Sequence, residues 1–125
     1  MKAFLSIKYY DDMRNKDLIE KICCAVNEIE VFAFVRDVQN YGKCNLLPHE
    51  IMERAFKEIK SSDILIVEAS ELSIGVGIEA GYGYSNGIPI YLIANHKAEV
   101  SNSIKGIAYK TLFYKDINEI SSLFR

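Results

Sequence analysis

Tryptophan is absent from this 125-residue chain, proline and histidine occur only twice each, and the cysteines are limited to Cys23, Cys24 and Cys44. An adjacent pair with one distant companion is no disulfide framework, so reduced thiols are expected. His49 and His96 stand apart from each other and from the cysteines, which leaves no zinc-ligand spacing and no metal or other cofactor to expect. No apolar run approaches the roughly 18 residues that a membrane-crossing helix needs. A charge excess is also missing: 15 basic against 17 acidic residues give a formal net charge of −2. That balance excludes the broad basic footprint of a protein that binds nucleic-acid polymers or anionic membranes. No repeat, low-complexity tract or linker divides the chain. What is abundant is apolar side chain, half of all residues, sufficient for one substantial core but not for two. A single domain over residues 1–125 is expected. The first residues run directly into a strand pattern without an apolar leader, so the expected location is the cytoplasm.

Strand and helix patterns alternate. Strands are expected at 3–9, 31–35, 63–69, 89–94 and 111–114, and helices at 14–28, 48–60, from the glycines after Ser73 to about Ser85, and from Asp116 through Phe124. Pro48 suits a first helical turn, and Ile51, Met52, Ala55, Phe56 and Ile59 mark that helix's buried stripe. Residues 36–47, with Gly42, Cys44 and Asn45, read as a loop. Such alternation favours an α/β fold: a flavodoxin-like (Rossmann-like) doubly wound, parallel, five-stranded sheet in the order 2-1-3-4-5. Strands one and three then lie side by side, and Ser6–Lys8 converges with Ser73–Glu79 at one switch point.

The most informative stretch runs from Asp63 to Gly87. Ile64-Leu65-Ile66-Val67 is a continuous apolar run, as in a central strand covered on both faces. Ser73, Gly75 and Gly77 follow at two-residue spacing, where missing side chains let a backbone approach a ligand and free helical N–H groups hold an anion. Glu79 is placed in the first turn of the ensuing helix. An acidic residue there complements the helix dipole; at a strand's carboxyl end it also stands where open sheets bind ligands.

Ser73-Ile74-Gly75-Val76-Gly77-Ile78-Glu79-Ala80-Gly81 resembles the S-L-G-V-G-x-E-x-G segment of the 2′-deoxynucleoside 5′-monophosphate N-glycosidases, members of the nucleoside 2-deoxyribosyltransferase superfamily. Ser6-Ile7-Lys8 is similar to the family's S-I-R, Gly87-Ile88-Pro89-Ile90 to its G-K-P-I, and Val100-Ser101 through Ile104-Lys105-Gly106 to a loop whose serine reaches the neighbouring subunit's phosphate. The resemblance implies Glu79 as glycosidic nucleophile. It further implies Ser6, Ile7, Lys8, Ser73, Gly75 and Gly77 around a 5′-phosphate, and a homodimer or higher homo-oligomer in which Ser101 completes the adjacent site. It departs at two positions. The family's aspartate in E-R-D falls on Ala55 of Glu53-Arg54-Ala55, and a tyrosine near the start of the first strand falls on Lys2.

N-glycosidic cleavage passes through an oxocarbenium-like C1′, which a carboxylate stabilises or traps covalently, while an acid protonates the departing base. With Ala55 at the family position, Glu68, Asp12 or Asp37 is left to supply that acid, or water does. The expected activity is hydrolysis of deoxynucleotides to free base and deoxyribose 5-phosphate, or deoxyribosyl transfer between nucleosides. The alternative is a nucleotide-binding or sensing module that retains the phosphate cradle without efficient turnover. A receiver-like signalling domain fits less well, since the third strand ends in Glu68-Ala69-Ser70 rather than a phosphoacceptor aspartate. Other residues have two readings each. Tyr9, Tyr10, Tyr82 and Tyr84 either stack on a base or pack; Asp11-Asp12 with Arg14 caps the first helix or binds a ribose hydroxyl; Arg36-Asp37 is a surface ion pair or part of the site. Lys57, Glu58 and Lys60 read as a solvated helix face.

Overall fold

Apolar segments of four to six residues form β1 (Lys2–Ile7), β2 (Glu30–Ala33), β3 (Ile64–Glu68), β4 (Ile90–Asn95) and β5 (Lys110–Tyr114). All neighbouring pairs are parallel, and the sheet order is β2-β1-β3-β4-β5, as the alternation requires. The architecture comes from a computed structural model that describes residues 1–38, 45–71 and 73–124; residues 39–44 of the expected 36–47 loop, Cys44 among them, lie outside these. The helices are α1 (Lys16–Ala25), α2 (Phe34–Asp37), α3 (Pro48–Lys60), α4 (Ile74–Ser85) and α5 (Asn102–Lys105), followed by a 3₁₀ helix over Ile117–Phe124. Among the described residues no helix is long and apolar enough to cross a membrane.

Alternation along each strand divides the core into two layers. On one face Phe4, Leu65, Val67 and Leu92 pack with Ala55 and Ile59 of α3 and with Val76 and Ala80 of α4. On the other, Ala3, Leu5, Ile66 and Ile93 pack with Ile19 and Ile22 of α1 and with Ile120. Every residue of β3 is buried, which explains its uninterrupted apolar sequence. At the amino edge Lys2 is part of the frame: its Nζ donates to Glu58 Oε2 at 2.7 Å and to Ser61 Oγ at 2.9 Å. Glu58 also accepts from Arg54 at 3.1 Å, so this part of α3 is a tethered face rather than a freely solvated one.

Four local expectations change. β2 stops at Ala33 because Phe34–Asp37 coils into α2, with Asp37 Oδ2 accepting from the Ala33 amide at 3.0 Å and Arg36 donating to the Val31 carbonyl at 3.1 Å. The first helix begins at Lys16, not Arg14, and Asp12 does not cap it: Asp12 instead binds Arg14, while Asn15 precedes the helix and donates to the Lys8 carbonyl at 2.8 Å. The final helix is 3₁₀, although Asp116 does bond to its first turn, accepting from the Asn118 amide at 2.8 Å.

The fourth change concerns the glycines. Gly75 and Gly77 lie inside α4, not in a turn before it, because Ser73 takes the N-cap and its Oγ accepts from the Val76 amide at 3.4 Å. Glu79 therefore sits in the second turn. Further along, Gly83 is buried against β3: a Cβ there would lie 2.8 Å from Leu65 Cδ2, so any larger residue would force the Leu65 side chain to shift. Gly87, at φ +74°, then turns the chain out of the helix toward β4.

Candidate active site

Parallel pairing sets the carboxyl ends of β1 and β3 side by side, with Ser6 opposite Val67 and Ile7 opposite Glu68. From the end of β3 the chain enters α4, which packs back over β1 and β3. This juxtaposes residues 73 apart in sequence: Ser6 Oγ donates to Glu79 Oε1 at 2.6 Å. Glu79 is half-buried, and that burial pushes its carboxyl up to about 7; the Ser6 bond acts in the opposite direction by favouring the ionised form. A half-buried carboxylate with one donor among the described residues thus stands at the carboxyl edge of the sheet.

The remaining expected residues spread outward from it. Ile7 turns its side chain into the α1 layer of the core, so only its backbone faces the edge. Lys8 follows β1, its Nζ 3.6 Å from Glu71 Oε2 and 4.9 Å from the centre of the Tyr10 ring. The Arg14 guanidinium also lies 4.6 Å from that ring's centre. Burial, reinforced by Glu71, pushes the Tyr10 phenol up to about 12. Gly75 and Gly77 are exposed on the first turns of α4. A Cβ on Gly77 would meet nothing within 4 Å, and one on Gly75 only Ser73 Oγ at 3.8 Å. Packing within the chain does not demand glycine at either position. Ser101 lies in the connection leaving β4, where it caps α5 and its Oγ accepts from the Ser103 amide at 3.2 Å.

The three candidate acids have other partners. Glu68 is 3 % exposed and fully engaged: Oε1 accepts from the Ser70 amide at 2.7 Å, and Oε2 from Ser70 Oγ at 2.7 Å and from the Tyr114 hydroxyl. The Ser70 hydroxyl in turn accepts from the Asn95 amide at 2.8 Å, so this network ties the ends of β3, β4 and β5 together. Asp12 is exposed, and its hydrogen bonds with Arg14 hold its carboxyl below the usual range, the reverse of what a proton donor needs. Asp37 binds Arg36 at 2.8 Å and the Ala33 amide at 3.0 Å, which favours the structural ion-pair reading. Ala55, at the family's aspartate position, is 1 % exposed within the α3–α4 core.

Sequence reasoning gave no role to Glu71, Ser70 or Tyr114. Their signal is positional, since each polar group stands at or just beyond a strand's carboxyl end. Tyr82 is a packing residue, stacked on Phe56 with ring centres 4.2 Å apart. Cys23 is half-buried and Cys24 exposed, both as free thiols. A cavity of about 590 Å³ lies at the opposite, amino edge of the sheet, among Met1, Val26, Glu28, Tyr91, Lys110 and Phe124, and contains none of the expected site residues.

No family model matches the chain. It is 27 % identical over 128 residues, covering 95 % of this chain and 89 % of the relative, to a Thermofilum pendens protein named a 2′-deoxynucleoside 5′-phosphate N-hydrolase. Its fold matches that of a CMP N-glycosidase from Clostridium botulinum with a TM-score of 0.71 at 19 % identity, over 99 % of this chain and 98 % of the other. It matches a 2-deoxyribosyltransferase from Bacillus psychrosaccharolyticus with a TM-score of 0.74 at 15 % identity, over 97 % and 90 %. By sequence the chain is thus similar to a protein named a 2′-deoxynucleoside 5′-phosphate N-hydrolase, and it has the α/β fold of the CMP N-glycosidase and 2-deoxyribosyltransferase structures.

Proposed function

We propose that this chain, as a single domain, hydrolyses the N-glycosidic bond of 2′-deoxynucleoside 5′-monophosphates to free base and deoxyribose 5-phosphate, or transfers the deoxyribosyl group, with Glu79 as nucleophile. The observation that carries this reading is the Ser6–Glu79 pair, a half-buried carboxylate with one oxygen held and the other unclaimed by any bond among the described residues. The name of the Thermofilum pendens relative supports the same substrate class.

In this mechanism the ionised Glu79 attacks or shields C1′ as the base departs, and water or an acceptor base then resolves the glycosyl intermediate. Lys8, the Ser73 hydroxyl and the exposed backbone at Gly75 and Gly77 receive the 5′-phosphate. Ser101 of a second copy completes the cradle in a homodimer. Because burial raises Glu79 to about 7, the nucleophile is protonated in acid, and the rate falls as pH drops through that value. Glu68, Asp12 and Asp37 are each bound elsewhere, so the departing base draws its proton from solvent.

A second reading, a nucleotide-binding module with little turnover, is favoured by one specific observation: the family aspartate's position is occupied by a core alanine. The deciding experiment is to incubate the protein with each 2′-deoxynucleoside 5′-monophosphate and to quantify free base and deoxyribose 5-phosphate. Release of both in equal amounts supports the enzyme. Tight binding with no release supports the module.

A further inference from the structure

Ser6 is 1 % exposed, although it stands at the carboxyl edge of β1 where a phosphate ligand would be expected to face solvent. Its neighbours in the sheet are apolar, with Val67 directly opposite on β3. Its hydroxyl carries one proton, and that proton is already committed to Glu79 Oε1 at 2.6 Å. A phosphate oxygen is an acceptor. It therefore has nothing to take from Ser6 while Glu79 is ionised.

We infer that Ser6 is the positioning residue of Glu79 rather than a phosphate ligand: it fixes one carboxylate oxygen and leaves the other free to face the anomeric carbon. The assignment deepens the glycosidase reading and rests on it for its kinetic consequences. It gives β1 a division of labour over three residues, with Ser6 serving the nucleophile, Ile7 the core, and Lys8 the incoming anion. The other titratable groups at this edge are engaged elsewhere. Lys8 pairs with Glu71, and Glu68 with Ser70 and Tyr114. From α3, Ala55 and Ile59 bring only apolar surface to the layer shared with Val76 and Ala80 of α4. The Ser6 hydroxyl is thus the one polar partner through which Glu79 is tuned among the described residues.

The test compares the wild type with Ser6→Ala and Ser6→Thr, the latter restoring the donor. Thermal melts first establish that each variant is folded. In Ser6→Ala, kcat for the deoxynucleoside monophosphate should fall at least tenfold while KM stays within about twofold, and the acid limb of the pH profile should rise by about one to two units, the size of a lost charge-assisted hydrogen bond. Ser6→Thr should recover part of the rate and the original limb. A tenfold rise in KM with an unmoved acid limb would overturn the assignment and return Ser6 to the phosphate. If the wild type releases no base, the functional reading fails, but the positioning role is still decided without turnover. The ¹³C-carboxylate resonance of Glu79 should titrate at higher pH in Ser6→Ala than in wild type, and an unchanged midpoint would overturn the role. Calorimetric titration with inorganic phosphate provides the control, and its affinity should be the same in both proteins.

Discussion

Glu68 and Glu79 are two carboxylates at the same edge of one sheet, Glu68 buried and Glu79 half-buried, and they are bonded very differently. Three donors converge on Glu68, from the Ser70 backbone, the Ser70 side chain and Tyr114, and their chain of bonds ties β3 to β4 and β5. Glu79 has one among the described residues, from Ser6, and burial leaves its carboxyl raised to about 7. The contrast is one of donors: a carboxylate that three donors saturate is held in place, whereas one with a single donor keeps an oxygen and a proton equilibrium open.

The sharpest way to break this comparison is Glu79→Gln. Base release should fall by roughly 10³-fold or more, with nucleotide affinity within a few-fold, because the nucleophile is lost at almost constant volume. The same variant should be more stable than wild type, but only above the ordinary carboxylate range. The unfolded carboxyl releases its proton near the ordinary 4.5 and the folded one near 7, so rising pH through that window favours unfolding in the wild type. Denaturation at pH 8 should show a gain on the order of 2–3 kcal/mol, absent at pH 4. Full activity in this variant would remove Glu79 from the chemistry.

Next in size is Ala55→Asp, which adds a third carboxylate with no donor at all. Position 55 is core, so a cost of about 3 kcal/mol or more is expected, with a lower melting temperature and no faster base release. A stable, faster variant would show that the α3–α4 layer opens onto the site. Glu68→Gln is expected to cost less, about 1–3 kcal/mol, since an amide NH₂ replaces one acceptor among three donors, and to leave the rate within about threefold. A loss of rate rivalling that of Glu79→Gln would make Glu68 the missing acid. Smallest is Lys8→Ala, expected to weaken monophosphate binding about tenfold and nucleoside binding hardly at all, as for one partly exposed, charge-assisted contact. Equal losses on both ligands, measured by calorimetry, would place Lys8 outside the phosphate cradle.

The sheet was legible because its signal is local and redundant. The apolar run at Ile64–Val67 can only be a doubly covered strand, and Pro48 with the stripe through Ile59 gives α3 from Pro48 to Lys60 as found. That Glu79 and Lys8 stand at the carboxyl edge of the sheet was legible from motif and position. What failed was punctuation. Gly75 and Gly77 read as a turn, yet the Ser73 cap and the burial of Val76, Ala80 and Gly83 draw them into a helix, which outweighs their weak propensity. Val35 read as strand, but the Asp37 and Arg36 side chains capture the backbone of β2 and end it at Ala33. The approach of Ser6 to Glu79 was legible as the convergence of the first and third strands, but its hydrogen bond and the Tyr114 partner of Glu68 were not, because they form only once distant strands have aligned.

Gly83 gives that alignment a chemical meaning. It lies one turn beyond Glu79, and residues four apart share a helix face, so the glycine that meets Leu65 and the carboxylate that meets Ser6 ride on the same side of α4. The seating of the helix against the Leu65 side chain of β3 is therefore tied to the placing of Glu79 beside Ser6. A missing methyl group thus bears on a carboxylate one helical turn away, through the packing of a leucine side chain.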